Sequence, residues 1–416
     1  MTRPRLLSVG LIAVGLGLAS LTPVVLAPSA AHAEGYRPEI GNPLKAAQEL
    51  AKKGSYSAAL QELNKADAVS GKTASEIATI EQLRGSIAQR AGDWDLEIKS
   101  FEALINSGAA GANQLSMVQA IGEALYSQKK DYAKAIPWLQ RYRKEGGTDP
   151  AMRGILIDSY VQTKDYADAI KEQLDQINAE EKAGQVAPEA QYQVLMNCYV
   201  GQKDNAGYEA LLERAILHYP KPDYWANIIH QIQIKPGFAS SRLGLDLSRL
   251  KLATGNVKGG DYRELVQSAL QERQPAEGKD VLDKAFAAGA MGTGPDAVRD
   301  NKLKEFVTKA MADDQAGIDA KADAAVTAKD AQAMVDLGFD YVGYGQFDKG
   351  IKLMEDGIKA DSLKHPEDAK LHLAIAYLRA GQKPKALAAL KAVGGTDGPA
   401  DLARIWTLVI NAKPAS

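Results

Sequence analysis

Hydrophobic and small residues recur at helical spacing in two consecutive segments between Leu337 and Ile358. The first segment places Leu337, Gly338 and Tyr341 on one face, because residues three and four apart are neighbours on a helix. Gly345 follows, and glycine is the residue best suited to the left-handed conformation that ends a helix. The second segment then carries one further face: Phe347, Gly350, Met354 and Gly357. The pattern predicts two helices in close contact, with small residues allowing the approach.

A related pattern repeats along the chain. The segment Lys130–Ile136 recurs as Lys164–Ile170, with six of its seven positions identical. Predicted turn positions follow at nearly the same interval, or at about twice that interval where one turn is unmarked: Gly54, Gly92, Lys130, Lys164, Lys203, Gln274, Gly345 and Gly381. A helix pair with this pattern and a period of about 34 residues resembles the tetratricopeptide repeat. The resemblance covers nearly all of residues 42–397 and is weak over 236–329.

The resemblance implies an all-α, right-handed α-solenoid of about nine stacked antiparallel helix pairs, in which each pair contacts its neighbours. The sequence then divides into a signal segment 1–33, a lead 34–41, an array 42–235, irregular or degenerate helical repeats 236–329, further pairs 330–397, and a helix and tail 398–416. The last helix is expected to cap the open end of the array.

Three local features carry further expectations. Asn42 is a candidate N-cap of the first helix, with Pro43 at its first position. Glu97 stands where the repeat has a small residue, which predicts looser packing in the second pair. Residues 295–329 predict a long helix with few apolar anchors, namely Phe306, Val307 and Met311.

The N-terminus has the organisation of a secretory signal peptide. Arg3 and Arg5 precede an apolar stretch over 6–21, and Ala31-His32-Ala33 supplies a cleavage site of small residues. The alternative is an uncleaved membrane anchor, but Pro23 shortens the apolar run below the roughly 20 residues of a span. The sequence therefore predicts cleavage after Ala33, export to the periplasm, and no stable membrane insertion afterwards.

Charge and cysteine content narrow the function classes. The net charge is −2, and removal of the signal segment lowers it to −4 because that segment carries two arginines and no acid. Neither value, nor any run of basic residues interleaved with aromatics, is typical of a nucleic-acid binder. Cys198 is the single cysteine and lies in a helical pattern. A buried apolar role is expected, with an intermolecular disulfide or a reactive thiol as the alternatives.

No motif of known chemistry stands out. The chain lacks a phosphate-binding glycine-rich loop ending in Lys-Ser/Thr and lacks a His-Glu-x-x-His pair. The Gly-Gly-Thr-Asp stretches at Gly146 and Gly394 are explained by helix ends and N-caps. We therefore expect no catalytic residues, no metal, no cofactor and no enzymatic activity.

The resemblance places the first helix of each pair along a concave groove. The exposed side of these helices is polar and nearly neutral: Gln82, Ser86, Gln89, Arg90, Asp158, Gln162, Gln193 and Asn197. One interpretation is an ordinary solvated surface, and the other is a groove that binds an extended segment of a partner protein.

The resulting hypothesis is a non-enzymatic scaffold that binds proteins of the cell envelope. A structural subunit of an envelope export, secretion or polysaccharide-assembly machine is the alternative, and it would bury its convex surface permanently. An enzyme built on a solenoid is a third class. It would need a compact non-repeat domain, for which only residues 236–329 remain, and these lack a nucleophile with a matching base.

Overall fold

The computed structural model describes residues 35–413, and these form twenty α-helices and no strand. The predicted signal segment and the expected cleavage after Ala33 lie outside these residues. The helices in chain order are α1 Pro38–Lys52, α2 Tyr56–Asp67, α3 Ala74–Ala91, α4 Trp94–Asn106, α5 Gln114–Glu123, α6 Tyr132–Lys144, α7 Pro150–Gln162, α8 Tyr166–Lys182, α9 Glu189–Gln202, α10 Asn205–His218, α11 Pro222–Gln233, α12 Gly244–Ala253, α13 Gly260–Gln271, α14 Pro275–Ala287, α15 Ala297–Ala328, α16 Ala331–Gly343, α17 Phe347–Lys359, α18 Pro366–Arg379, α19 Lys383–Lys391 and α20 Pro399–Asn411.

Consecutive helices pack as pairs: α1/α2, α3/α4, α5/α6, α7/α8, α11/α12, α13/α14, α16/α17 and α18/α19. Helix α15 lies between two of these pairs, and α20 follows the last one. The all-α fold class of repeated helix pairs is therefore confirmed. Two compact units divide the chain, and the boundary falls between Tyr208 and Glu209, within α10. We call residues 35–208 the N-terminal unit and residues 209–413 the C-terminal unit. No helix in the described part of the chain combines the length and apolar character required to cross a bilayer.

The turn positions define the repeat in the backbone. Seven of the eight predicted positions have φ between 54° and 77°, in the left-handed region. The exception is Gln274, because the left-handed residue at that turn is Arg273, with φ 58°. The predicted register is therefore correct at seven turns and displaced by one residue at the eighth.

The pair α16/α17 shows why the repeat needs glycine. A Cβ atom on Gly338 would lie 2.5 Å from Cγ of Met354 and 2.7 Å from the carbonyl oxygen of Gly350. These distances are too short for any side chain, so glycine at 338 permits the close approach of the two helices. Tyr341 fills the adjacent space and is fully buried.

The first helix begins earlier than predicted. Pro38, not Pro43, occupies its first turn, and Arg37 is the residue at the N-cap position. Asn42 is therefore not a cap. The physical reason is that Ile40 has 0% exposure in the apolar core, so the chain is already helical there.

The long helix predicted over 295–329 is confirmed as α15, but its apolar anchors were only partly identified. Val307 is fully buried, whereas Phe306 is 62% exposed. The buried positions that hold the second half of α15 are Ile318, Ala322 and Ala325. This buried face consists mainly of alanines. Because alanine is frequent throughout the sequence, its spacing alone does not distinguish a buried face from an exposed one.

The expected open end of the array does not exist in the C-terminal unit. Helix α20 packs on α18 and α19 and also on α12. The backbone N–H of Ala239 donates to the carbonyl of Asp397 over 2.9 Å, and Lys235 pairs with Asp401 at 2.8 Å. The last helix therefore does not cap an open end, because it returns to α12 and closes this unit on itself.

Candidate functional site

The predicted groove residues lie on α3, α7 and α9 of the N-terminal unit, and they differ in accessibility. Three are exposed, namely Arg90, Gln162 and Asn197. The others are half-buried: Gln82, Ser86, Gln89, Asp158 and Gln193. The stripe is therefore accessible to solvent at a subset of its positions.

Most of the half-buried members are already hydrogen-bonded within the chain. The hydroxyl of Ser86 donates to the carbonyl of Gln82 over 2.9 Å. Asp158 accepts from the Tyr126 hydroxyl at 2.8 Å and from the amide of Gln162 at 3.3 Å. Tyr126, Asp158 and Gln162 therefore hold one another in position, whereas the Ser86 hydroxyl is bonded to the backbone of its own helix.

Gln89 has a partner that the sequence did not indicate. Its amide Nε2 donates to Oε1 of Glu97 over 2.8 Å. Glu97 lies on α4 with 0% exposure, and its second oxygen, Oε2, has no hydrogen-bond partner within the described chain. Burial raises the pKa of Glu97 to about 7, the bond from Gln89 opposes this rise, and the charge of Glu123 adds to it.

The looser packing predicted at this pair is wrong. A Cβ on Gly85 would lie 2.4 Å from the ring of Phe101, so α3 and α4 are in tight contact. Glu97 is accommodated because Gln89 supplies a hydrogen bond to its carboxyl group, which offsets part of the cost of its burial.

Two polar side chains of α5 extend the polar surface and were absent from the predicted set. Gln119 Nε2 donates to Oε1 of Glu123 over 2.9 Å and lies 3.4 Å from Oδ2 of Asp149. Burial raises the pKa of Glu123, and the charge of Asp149 raises it further. The spacing of Gln119 and Glu123 repeats that of Gln82 and Ser86 on α3, and this signal could have identified them.

A π-helical turn, Ala124–Gln128, continues α5 directly after Glu123. Such a turn widens one helical turn by one residue and frequently accompanies functional sites. Tyr126 lies in this turn, and its hydroxyl bonds to Asp158 of α7. The π-helical turn therefore joins the polar surfaces of α5 and α7.

The C-terminal unit contains a different kind of polar cluster, which we call the ionic centre. Arg249 of α12 binds Glu277 of α14 through Nε and Nη2, at 3.0 Å and 2.6 Å, and binds Asp246 at 2.7 Å. Arg379 of α18 also donates to Glu277. His372 Nε2 lies 2.9 Å from Asp246.

An aromatic ring completes this ionic centre. The guanidinium carbons of Arg249 and Arg379 lie 4.9 Å and 4.8 Å from the ring centroid of Phe339 on α16. Asp246, Arg249 and Glu277 are each less than 7% exposed. The arginines and His372 hold the pKa of Asp246 and of Glu277 well below their usual range despite burial. The charges therefore satisfy one another, which makes this centre a structural element of α12, α14, α16 and α18.

Two observations concern metal and thiol chemistry in the described residues. Within 35–413, no group of three or more His, Cys, Asp or Glu side chains is arranged to hold a metal ion. Cys198 is fully buried, as the sequence suggested, and burial raises the pKa of its thiol to about 11. A protonated, inaccessible thiol is a poor nucleophile.

Comparisons with known proteins identify the repeat. Residues 335–399 match the sequence model of the tetratricopeptide repeat family. The comparison with curated proteins found no match.

Solved structures that resemble the chain have low sequence identity. They include a Naa15/Naa10 complex bound to HypK-THB (14% identity, 85% of this chain, TM-score 0.30). Yeast Tom70 (10% identity, 88% of this chain and 94% of that chain, TM-score 0.23) and the APC/C hetero-tetramer Cut9–Hcn1 (12% identity, 88% and 83%, TM-score 0.20) are also similar. The chain spans 62% of the length of the matched chain in the Naa15/Naa10 structure.

The family match falls on the two helix pairs, α16/α17 and α18/α19, in which the repeat pattern of glycine, aromatic and small residues is clearest. Pairs of the same construction, with left-handed turns at the same interval, begin at α1. This repeat is typical of non-catalytic scaffolds that bind other proteins. Residues 335–399 are tetratricopeptide repeats, and the preceding helix pairs share their helix-turn-helix pattern.

Proposed function

We propose that this protein is a non-enzymatic scaffold of the cell envelope, and that its N-terminal unit binds an extended segment of a partner protein in the concave groove. One contrast between the units carries the proposal. The ionic centre of the C-terminal unit is buried and its charges are paired with one another, whereas Arg90, Gln162 and Asn197 of the N-terminal unit are exposed.

The chemistry of the groove residues fits a polypeptide backbone. Amide side chains such as Gln162 and Asn197 both donate and accept hydrogen bonds. An extended segment presents unpaired N–H and C=O groups that require such partners. A surface whose polar groups are already positioned by internal bonds would bind such a segment with less loss of side-chain entropy.

The proposed location rests on the N-terminal sequence. Arg3, Arg5, the apolar run and the Ala31-His32-Ala33 site support export and cleavage, which would leave the mature chain in the periplasm. The intact mass of the exported protein tests this directly. We expect a chain that begins at Glu34, and a chain that still begins at Met1 would favour a membrane anchor.

Partner capture by groove variants tests the binding function. The variant Gln162→Ala/Asn197→Ala removes two exposed groove amides, and Gln61→Ala/Asn64→Ala removes a matched pair of exposed amides from α2. Gln89 is unsuitable because its loss would leave buried Glu97 without a hydrogen bond. With the exported protein as bait in a periplasmic extract, we expect the groove variant to weaken capture more than tenfold, about 1.4 kcal/mol.

The control variant should capture the partner at full strength, and both variants should melt like the parent, because exposed substitutions usually change stability by less than about 0.5 kcal/mol. A groove variant that retains full capture would contradict the proposal. Loss of capture in the α2 variant alone would instead favour a structural subunit that buries its convex surface.

A further inference from the structure

Three carboxylates of the N-terminal unit, Glu97, Glu123 and Asp149, lie on consecutive repeats. The charges that act on Glu97 and Glu123 within residues 35–413 come from other carboxylates, namely Glu123 on Glu97 and Asp149 on Glu123. Their hydrogen bonds come from the neutral amides of Gln89 and Gln119. This differs from the ionic centre of the C-terminal unit, where every buried acid named above has an arginine or histidine partner.

One oxygen of this group is left without a partner. Glu97 is fully buried, its Oε1 accepts from Gln89, and its Oε2 accepts no hydrogen bond from the described chain. A buried carboxylate oxygen without a donor costs free energy. The hydrogen bond from Gln89, which belongs to the groove stripe of α3, orients the Glu97 carboxyl group. The charge of Glu123 on α5 also acts on Glu97. The unpartnered oxygen is therefore buried beside Gln89, a residue of the groove stripe, and belongs to the repeat that precedes Glu123.

We infer that Glu97, Glu123 and Asp149 form a binding site for a cationic side chain, lysine or arginine, of the extended partner segment. The inference rests on the proposed groove and names the chemical class of its partner. It also revises the nearly neutral stripe expected from the sequence, because these acids come from α4, α5 and the N-cap of α7. Glu123 and Asp149 are half-buried and accessible to the cation, whereas Glu97 is fully buried.

The site predicts that binding and protonation are coupled. An ammonium or guanidinium group close to Glu123 favours the ionised form of both glutamates, because an opposite charge within about 4–6 Å lowers a carboxyl pKa. Since the pKa of Glu97 lies at about 7 before binding, a fraction of the Glu97 carboxyl groups carries a proton at neutral pH. Binding of a cation should release it, and affinity should rise as the pH increases from 6 to 8.

Three capped seven-residue peptides serve as probes in titration calorimetry with the whole chain. They alternate serine with lysine, glutamine or glutamate. At low salt we expect the lysine peptide to bind at least tenfold more tightly than the glutamine peptide, and the glutamate peptide to bind most weakly. Affinity for the lysine peptide should fall with added salt, because salt screens charges that are partly exposed. Measurements in two buffers of different ionisation enthalpy count the protons released.

Substitutions separate the roles of the carboxylates. Glu123→Gln should abolish the preference for lysine over glutamine, whereas Glu97→Gln should retain binding but lose proton release. The matched control is Asp175→Asn, which removes an exposed carboxylate from α8 and changes the net charge equally. The control should keep the lysine preference and the proton release, and all three variants should be checked by thermal unfolding.

Failure of the cationic site can be distinguished from failure of the groove. If the lysine and glutamine peptides bind equally, and Gln162→Ala/Asn197→Ala weakens both, the groove stands and the cationic site is wrong. If the Asp175→Asn control reduces lysine binding as much as Glu123→Gln, the attraction is a general charge effect and the site is also wrong. If lysine binding requires Glu123 but survives the groove double variant, the cationic site stands and the extended groove is contradicted.

Discussion

At the scale of single residues, the lysines at the repeat turns occupy a conformation that suits glycine. Lys130, Lys164 and Lys203 have φ of 54°, 62° and 59°. A left-handed conformation costs a residue with a Cβ about 1–2 kcal/mol, whereas the larger entropy that glycine loses on folding costs about 0.5–1 kcal/mol. We therefore expect Lys164→Gly to stabilise the protein by up to about 1 kcal/mol in thermal or denaturant unfolding.

The control for this prediction is Lys171→Gly, which changes the same residue type at an exposed position inside α8. Glycine in a helix interior should cost about 1 kcal/mol there. Destabilisation by both substitutions to the same extent would show that the backbone at Lys164 is not strained.

Residue-scale features differ in how far the sequence predicts them. Thr73 and Glu76 form a capping box at the start of α3, and a Thr-x-x-Glu spacing indicates such a box because both partners lie within one helical turn. The burial of Glu97 was not predicted, because the residue that binds it, Gln89, and the charge that acts on it, Glu123, come from two other helices. Local spacing shows that Glu97 departs from the repeat. Only the three-dimensional packing shows which side chain binds it.

At the scale of helical elements, the two related repeats offer a direct test of register. Ala135 on α6 and Ala169 on α8 occupy equivalent positions of the repeat, and both have 0% exposure. Ala135→Leu should destabilise the protein by about 1–3 kcal/mol through overpacking. Leucine at the neighbouring Lys134, whose side chain is 74% exposed, should be nearly neutral. Comparable losses at 134 and 135 in denaturant unfolding would contradict the helical register.

The long helix α15 should be the least protected element of the C-terminal unit. Five of its 32 residues are buried, against eight of 13 in α16. Packing therefore protects a smaller share of the backbone hydrogen bonds in α15. Low contact density lowers local stability and permits local opening. Hydrogen exchange should therefore be faster in α15 than in α16 and α17, and equal protection would show that its alanine face packs as firmly as the large apolar faces.

At the scale of the whole molecule, the repeat itself could be predicted and the closure of the C-terminal unit could not. Pair α16/α17 and the turns depend on contacts within a single repeat, which a periodic sequence displays. One closing contact joins Ala239 to Asp397, and in the other both Arg249 and Arg379 bind Glu277. These contacts link parts of the chain that are several repeats apart. Nothing in the local pattern near Pro236 marks a partner so far along the chain, so this stretch was interpreted as degenerate repeats.

The ionic centre leads to the last prediction, which concerns Arg249. This guanidinium neutralises Glu277 and Asp246, both of which are almost fully buried. Arg249→Met keeps much of the side-chain volume but leaves two buried carboxylates with fewer cations. Removal of one member of a buried ionic pair typically costs about 3–5 kcal/mol, because the remaining charge is left without compensation. The matched substitution Arg299→Met, at an exposed arginine of α15, should be nearly neutral.

The same centre sets the direction of the pH dependence. The pKa values of Asp246 and Glu277 are lower in the folded chain than in the unfolded chain. Their contribution to stability is therefore complete above the ordinary carboxyl pKa of about 4 and is lost as the pH falls through the folded values. Arg249→Met should weaken this dependence, so the variant and the parent should converge in stability as the pH is lowered towards 3.

Because α20 returns to α12, which carries Arg249, hydrogen exchange should accelerate in both helices together in the variant at pH 7. Unchanged protection of α20 would mean that the backbone contacts at Ala239 and Asp397 close the unit without the ionic centre.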